Sequence, residues 1–299
     1  MSRGVCGLNA VRSLIAALCA ALLVVTMVLL GVSISLSVTL LNADFVVAEL
    51  DDVPVHTLFA EEAKKQVPPE ATFLLPLIDE AAVDLEPWAR AQTAVLVQAF
   101  ETYAKGNLAF NATISFEEPK RYLAAHLEEA LLESGLPGLN LLTEQQLQTF
   151  LDQILLEVDN RIPDRFEITE AFIDAETLAG IRAAREYAGY LSLSLWLLPV
   201  VALLLVLLIA WVRAWRGRPV TRLVGAAFVV VGIVSLILRV VAPPLLAGAV
   251  PSDLPPQVGT ALSGFIDGCF EPLLVYGLVV IVVGAALVSL SFRFRPIDA

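Results

Sequence analysis

The fold is decided by residues 190–241, which read YLSLSLWLLPVVALLLVLLIAWVRAWRGRPVTRLVGAAFVVVGIVSLILRVV. This stretch contains two apolar runs, 190–212 and 223–241, separated by ten residues that carry four arginines. A helix needs roughly 20 apolar residues to cross about 30 Å of hydrocarbon. The stretch therefore predicts two transmembrane helices, 190–212 and 223–241, joined by the short basic loop 213–222.

Two further apolar runs, 14–41 and 272–292, contain no charged residue. The chain is 58% hydrophobic over 299 residues, whereas soluble domains are usually about half apolar. We therefore predict a mainly α-helical integral membrane protein with four transmembrane helices. The first run is too long for the apolar core of a signal peptide, and no A-x-A cleavage pattern follows it. We expect it to be an uncleaved anchor.

Arginines in the short flanking segments predict the orientation, because basic residues are retained on the cytoplasmic side of a membrane. Eight of them lie in the N-terminal segment 1–13, the loop 213–222 and the tail 293–299. Residues 42–189 instead hold 27 acidic and 10 basic residues, a formal charge of −17. We expect a plasma-membrane protein with both termini in the cytoplasm and an acidic extracytoplasmic domain at 42–189.

The extracytoplasmic domain is expected to be mostly helical, with its own core. Thr143 opens a T-E-Q-Q capping box, and Asp174 can cap a last helix that continues into the second span. Alternating apolar residues predict two short strands, 108–116 and 165–169, which we expect to pair. Periodic apolar positions predict further helices at 55–66, 73–83, 86–105 and 119–133. Both segments that connect this domain to its neighbouring spans are predicted to be helical. We therefore expect the domain to be held rigidly on the membrane helices.

The second outer segment, 242–271, is rich in proline. We predict a loop followed by a short amphipathic helix that lies at the membrane surface or beneath the outer domain. The apolar stripe of this helix consists of Val258, Leu262, Phe265, Ile266 and Cys269.

Arg239 is the one charged residue within the four apolar runs. A charge inside a membrane is costly unless it is paired or reaches the interface, so it is a functional candidate. Glu271 and Asp267, at the entrance to the fourth span, are its expected partners. The alternatives are a structural ion pair at the level of the lipid head groups and a gate or substrate contact.

Glycines recur at seven-residue spacing in the last two spans, Gly225 and Gly232 in one and Gly277 and Gly284 in the other. Small residues on one stripe let two helix backbones approach closely in lipid. We therefore predict an antiparallel pair formed by the third and fourth spans. Close packing is a simpler interpretation than a pore lined by glycine.

The sequence contains no G-x-S-x-G motif, no P-loop and no H-E-x-x-H motif. We accordingly predict no catalytic residues, no cofactor and no metal site. Membrane lipids and a protein partner are the expected partners. Nucleic acid is not expected, since the basic residues form no domain of their own.

The plan of four spans with a large first outer loop resembles that of claudin-like proteins. The outer cysteines and the W-G-L-W-type motif of that family are missing, so we assign the chain to no family. The leading hypothesis is a non-enzymatic membrane protein whose outer domain binds or senses a partner or scaffolds a membrane complex. The alternatives are a channel or transporter subunit with Arg239 and Glu271 near its outer mouth, and an envelope- or lipid-acting enzyme that uses His126.

Overall fold

The computed structural model describes residues 3–50, 55–65, 75–106, 109–133, 143–213, 217–248 and 256–293. The described chain is mostly helical, with one small two-stranded sheet. Four of its helical stretches are long and apolar enough to span a membrane. The predictions of a mainly α-helical chain with four such stretches and a minor strand pair are therefore confirmed.

The helices and strands are numbered in chain order. They are α1 (Arg3–Thr39), α2 (Ala43–Leu50), α3 (Val55–Lys65), α4 (Leu75–Asp84), α5 (Glu86–Ala104), β1 (Asn111–Ser115), α6 (Glu117–Glu133), α7 (Glu144–Arg161), β2 (Arg165–Thr169), α8 (Ala175–Val212), α9 (Gly217–Ala247), α10 (Pro256–Phe270) and α11 (Pro272–Arg293). The four apolar stretches are Val11–Thr39, Ala175–Val212, Pro219–Ala247 and Val258–Phe292.

The chain divides into two compact units. The first, which we call the membrane unit, comprises Met1–Glu49 and Ala184–Ala299, and the second, the inserted unit, comprises Leu50–Ala183. Parts of four predicted segments of the membrane unit lie outside the described residues: 1–2 of the N-terminal segment, 214–216 of the basic loop, 249–255 of the outer loop and 294–299 of the tail.

The core of the membrane unit is formed by small and branched side chains from three helices. Ala20 and Leu23 of α1, Ala202 and Ile209 of α8, and Ala227 of α9 are buried together there. The opposite faces of these helices expose large apolar side chains such as Leu18, Leu203 and Ile237. An apolar outer surface on a bundle of long helices suits contact with lipid.

Helix α9 extends six residues beyond the predicted start of the loop at 242 and includes Pro243 and Pro244. A proline removes its own N–H and crowds the carbonyl four residues before it, which usually ends a helix. In this helix the next turn still forms, because the N–H of Gly248 donates to the carbonyl of Pro244 at 3.1 Å. Residues 242–247, the first six of the predicted outer loop, are therefore helical.

The inserted unit contains an antiparallel ladder and two small apolar cores. Strand β1 pairs with β2, with Asn111 opposite Thr169 and Ser115 opposite Arg165. One core is formed around Tyr103, Phe110 and Ala112, and the other around Leu127, Leu131 and Leu151. The predicted helices of this unit are observed, with described ends that differ by at most two residues, and β1 is shorter than the predicted strand 108–116. Residues 66, 73–74 and 108 lie outside the described residues.

Local sequence signals place the ends of these elements. Helix α7 begins at a complete capping box, in which the side chains of Thr143 and Gln146 each accept from the other residue's backbone N–H. The carboxylate of Asp174 accepts from the N–H groups of Glu176 and Thr177 at the start of α8. Gly106, with φ of 82°, follows α5 in the left-handed conformation that glycine tolerates best.

Candidate functional site

Arg239 and Asp267 form a bidentate ion pair between α9 and α10. The Nη1 atom donates to Oδ1 at 2.7 Å, and Nη2 donates to Oδ2 at 3.1 Å. The Arg239 side chain is 24% exposed and that of Asp267 is 56% exposed. The Nε atom of Arg239 is buried and has no hydrogen-bond partner among the described residues. One edge of the guanidinium therefore carries the pair, while the protein covers Nε.

Glu271, the other expected partner, is exposed and lies between the end of α10 and the start of α11. No salt bridge joins it to Arg239 in the described part of the chain. Its backbone N–H donates to the carbonyl of Gly268 at 3.1 Å, which closes the turn there. Asp267 lies one turn earlier on α10 and reaches the guanidinium instead. Both carboxylates were candidates in the sequence, and the structure brings only Asp267 into contact with Arg239.

The four glycines lie where α9 and α11 approach each other. A methyl group added at Gly225 would lie 2.8 Å from the carbonyl oxygen of Gly284. A methyl group at Gly232 would lie 2.5 Å from the carbonyl oxygen of Gly277. Such separations are below van der Waals contact, so the backbones touch at both places. The two contacts are seven residues apart on each helix and run in opposite directions, as in an antiparallel pair.

Helix α1 makes polar contacts with three other helices of the membrane unit, which the sequence did not predict. The hydroxyl of Ser35 donates to the carbonyl of Cys269 at 2.6 Å. The hydroxyls of Ser33 and Ser194 are hydrogen-bonded at 2.9 Å, which joins α1 to α8. Because Cys269 lies in the last turn of α10, its carbonyl has no partner within that helix, and Ser35 satisfies it.

Tyr276 of α11 makes the third contact with α1. Its hydroxyl donates to the carbonyl of Met27 at 2.6 Å. Its ring lies over Gly31, where an added methyl group would be 2.5 Å from Cε1. A glycine one turn after the acceptor makes room for the ring. The sequence signal for this contact was a single tyrosine in an apolar run, which does not identify its partner.

The inserted unit contains an apolar pocket between α3, α4 and α5. Its volume is about 230 Å³, and it opens on the surface of the unit. Apolar atoms make up almost all of its wall. The lining residues are Ala60, Ala63, Ile78, Ala81, Ala82, Leu85, Trp88 and Ala89. The sequence did not predict this pocket, because alanines on an amphipathic helix are equally compatible with a closed core.

His126, the residue of the enzyme hypothesis, is engaged with its own helix. Its Nδ1 atom is 2.9 Å from the carbonyl of Tyr122, so Nδ1 carries the proton and donates. The imidazole stacks on the ring of Tyr122, with centroids 4.1 Å apart. Burial, together with the carboxylates of Asp84 and Glu80, raises the pKa of Tyr122 to about 12. In this arrangement Tyr122 keeps its proton at neutral pH.

Within the described residues, no group of three or more His, Cys, Asp or Glu side chains is arranged to hold a metal ion. Comparisons with known proteins identified no relative: no family model, no curated protein and no solved structure matches the chain.

Proposed function

We propose that the chain is a non-enzymatic plasma-membrane protein whose extracytoplasmic domain binds or senses a protein partner, or scaffolds a membrane complex. In this proposal both termini are cytoplasmic and residues 42–189 lie outside. The orientation is supported by the charge distribution. Eight arginines lie in the segments 1–13, 213–222 and 293–299, whereas residues 42–189 carry a net charge of −17.

The proposal is carried by one observation: the inserted unit has its own cores and sheet and an apolar pocket open at its surface. A compact unit with an open apolar pocket has the features of a binding module. In the membrane unit, the polar side chains Ser33, Ser35, Tyr276 and Arg239 bond to neighbouring helices. These bonds favour a role in holding the helices together.

Aromatic residues on α8 support the assignment of 190–212 as the membrane-crossing part of that helix. Tyr190 and Trp211 are both largely exposed. They lie about 31 Å apart along a helix that rises about 1.5 Å per residue, close to the thickness of the hydrocarbon layer. Tyrosine and tryptophan are enriched at the two interfaces of a membrane.

The orientation is tested by labelling single cysteines in intact cells with a membrane-impermeant maleimide. Thr149→Cys, on the exposed face of α7, is expected to react without permeabilisation. Thr221→Cys, near the start of α9 and within the predicted basic segment 213–222, is expected to react only after the cells are permeabilised. The reverse pattern would invert the proposed topology.

The binding role is tested by photo-crosslinking in cells, followed by mass spectrometry. The crosslinking amino acid is placed at Val83, Leu156 or Phe172, which are exposed apolar positions of the inserted unit. The expected result is one protein that recurs at neighbouring positions. The control is Trp196, which is 80% exposed within an apolar span and is expected to capture membrane components. If the inserted unit yields only the background seen at Trp196, the binding proposal fails.

A second candidate is a channel or transporter subunit, favoured by the ion pair between Arg239 and Asp267 at the end of an apolar span. In this proposal the pair, with Glu271, lies near an outer mouth and controls entry. The test is ion or solute flux in vesicles that contain the native chain or Arg239→Ala. Equal flux in the two preparations, at the level of empty vesicles, would exclude this candidate.

A further inference from the structure

The pocket between α3, α4 and α5 has the size of one side chain. Its volume is about 230 Å³. Sites for complete drug-sized ligands occupy roughly 300–1,000 Å³, and an apolar cavity of roughly 150 Å³ is enough for benzene. A pocket with a volume between these limits accommodates one bulky apolar group, such as a phenylalanine or leucine side chain. The rest of such a ligand must lie outside the pocket.

Acidic residues surround the lining residues in the sequence. Glu61 follows Ala60, and Asp79 and Glu80 lie between Ile78 and Ala81. Glu61, Asp79 and Glu80 are all exposed. Over α3, α4 and the first turn of α5, residues 55–65 and 75–90 hold six acidic and three basic residues, a formal charge of −3.

Basic side chains in this region already have acidic partners. Lys64 pairs with Asp79, and Arg90 pairs with Glu86 through a 2.7 Å contact. Glu61 and Glu80 make no salt bridge with another described residue. The surface beside the pocket therefore attracts cations, in agreement with the charge of −17 on 42–189.

The wall of the pocket is held in place before any ligand arrives. The indole Nε1 of Trp88 donates to the carbonyl of Ser115 at 2.7 Å, and the Trp88 ring packs on Phe116 with centroids 6.0 Å apart. Five of the seven other lining residues are alanines, which have no side-chain torsion to order. A preformed wall lowers the entropic cost of binding.

We propose that this pocket binds one bulky apolar side chain of a basic peptide segment that belongs to the partner protein. The apolar group enters between α3, α4 and α5, and the flanking lysines or arginines lie against the acidic surface. This inference rests on the proposed partner-binding function and specifies the chemistry of the partner.

The test uses the full chain in nanodiscs of zwitterionic lipid, so that the lipid does not attract basic peptides. Three fluorescent nine-residue peptides serve as probes: lysine and glycine around a central phenylalanine, the same peptide with central alanine, and glutamate and glycine around phenylalanine. Dissociation constants are measured by fluorescence anisotropy. We expect the lysine–phenylalanine peptide to bind about tenfold or more tightly than either of the others, given the usual gain from burying an aromatic ring.

Two variants fill the pocket, and one matched variant does not. Ala63→Leu adds bulk at an exposed position of the lining, and Ala81→Leu adds it at a half-buried one. Ala91→Leu makes the same change at an exposed position of α5 outside the lining. The preference for phenylalanine over alanine is expected to fall to about one in both filled variants and to persist in Ala91→Leu. Circular dichroism checks that the variants fold alike.

Three outcomes would overturn the inference. The native chain could bind the phenylalanine and alanine peptides equally, or bind the acidic phenylalanine peptide as tightly as the basic one. The filled variants could also keep the native preference. A partner captured by crosslinking elsewhere on the unit, together with any of these results, would leave the proposed function intact and refute the pocket. Peptide discrimination without any captured partner would refute the proposed function alone.

Discussion

Trp88 of α5 and Ser115 of β1 are joined by a 2.7 Å hydrogen bond from the indole Nε1 to the backbone carbonyl. One turn further along α5, Gln92 accepts from the N–H of the same serine at 3.1 Å. Two side chains of one helix therefore hold both backbone groups of one strand residue. Helix α5, which forms part of the pocket wall, is fixed in this way to the small sheet.

Replacing Trp88 with phenylalanine removes the donor and keeps an aromatic ring. We expect the Ser115 carbonyl to lose its side-chain partner and the end of the sheet to be destabilised by about 1 kcal/mol, the usual net value of one hydrogen bond. Hydrogen–deuterium exchange of the full chain, read at peptides covering β1 and β2, should become several-fold faster. Trp211→Phe on the exposed face of α8 is the control. Unchanged exchange at β1 in Trp88→Phe would show that the bond carries no stability.

The Arg239–Asp267 pair should contribute a measurable coupling energy. A bidentate guanidinium–carboxylate pair is stronger than a single contact, but Asp267 is more than half exposed and solvent screens it. We expect a double-mutant cycle with Arg239→Gln and Asp267→Asn to give about 1 kcal/mol, measured by equilibrium unfolding of the full chain in mixed detergent micelles.

Glu271 offers a matched control for that cycle. Glu271 follows Asp267 by four residues, but its carboxylate forms no salt bridge with Arg239 in the described residues. Glu271→Gln combined with Arg239→Gln should therefore give a smaller coupling energy than the Asp267 cycle. If the Glu271 cycle gave the larger value, the pairing would differ from the one in the structure.

The space around two glycines, Gly232 in α9 and Gly264 in α10, predicts opposite effects when each is replaced by alanine. At Gly232 the added methyl group would meet the carbonyl oxygen of Gly277, so the helices must separate, at a cost of about 1–3 kcal/mol. At Gly264 of α10 nothing lies within 4 Å of the added methyl group. Alanine there should stabilise the helix by up to about 1 kcal/mol. Thermal unfolding in detergent should rank Gly264→Ala above the native chain and Gly232→Ala below it.

The same ranking of thermal stabilities tests whether the contact between α9 and α11 holds the membrane unit together. If Gly232→Ala is as stable as the native chain, the backbones of α9 and α11 do not touch at Gly277. Gly284→Ala should behave like Gly232→Ala, because its methyl group would lie 2.7 Å from the carbonyl oxygen of Gly225.

A raised pKa at Tyr122 predicts a late step in the alkaline titration of the inserted unit. Burial, Asp84 and Glu80 raise its pKa to about 12, above the ordinary value of about 10. Since the folded state favours the neutral phenol, its contribution to stability is complete below about pH 10 and is lost as the pH rises through about 12. The difference in tyrosinate absorbance between the native chain and Tyr122→Phe should titrate in this late step.

Asp84→Asn removes one of the charges that raise this pKa. The same difference titration, measured on that background, should then move to lower pH. A Tyr122 step near pH 10 in the native chain would mean that the hydroxyl is solvated and that the packing of α4 against α6 is looser than described.

Signals that act within a few residues made most of the fold predictable from the sequence. The lengths of the apolar runs identified the four candidate spans, and the T-E-Q-Q pattern at Thr143 identified the start of α7. The alternation of apolar and polar residues identified both strands, which pair from Asn111 opposite Thr169 to Ser115 opposite Arg165. In each case the deciding interactions lie within one element or follow from its period.

Contacts between distant helices were harder to predict. Ser35 and Tyr276 lie in apolar runs whose faces are alike in composition, so the sequence does not fix which face meets which neighbour. Lipid is as apolar as the side chains, and the rotation of a helix is decided by a few small or polar residues. The choice of Asp267 over Glu271 depends in the same way on where α10 ends, which the sequence located only approximately.

Tyr276 and Gly31 provide the last prediction, because they are coupled through one contact. Tyr276→Phe removes the hydrogen bond to the Met27 carbonyl and should cost about 0.6 kcal/mol and no more than about 1.7 kcal/mol, the average and the maximum measured for polar contacts between helices in a membrane protein. Gly31→Ala places a methyl group 2.5 Å from the tyrosine ring, so it should displace the ring and break the same bond. In the double variant the hydrogen bond can be lost only once. The combined destabilisation, from the same detergent unfolding, should therefore be smaller than the sum of the two single effects. Strict additivity would mean that the ring does not lie over Gly31 and that α1 and α11 are held together by other contacts.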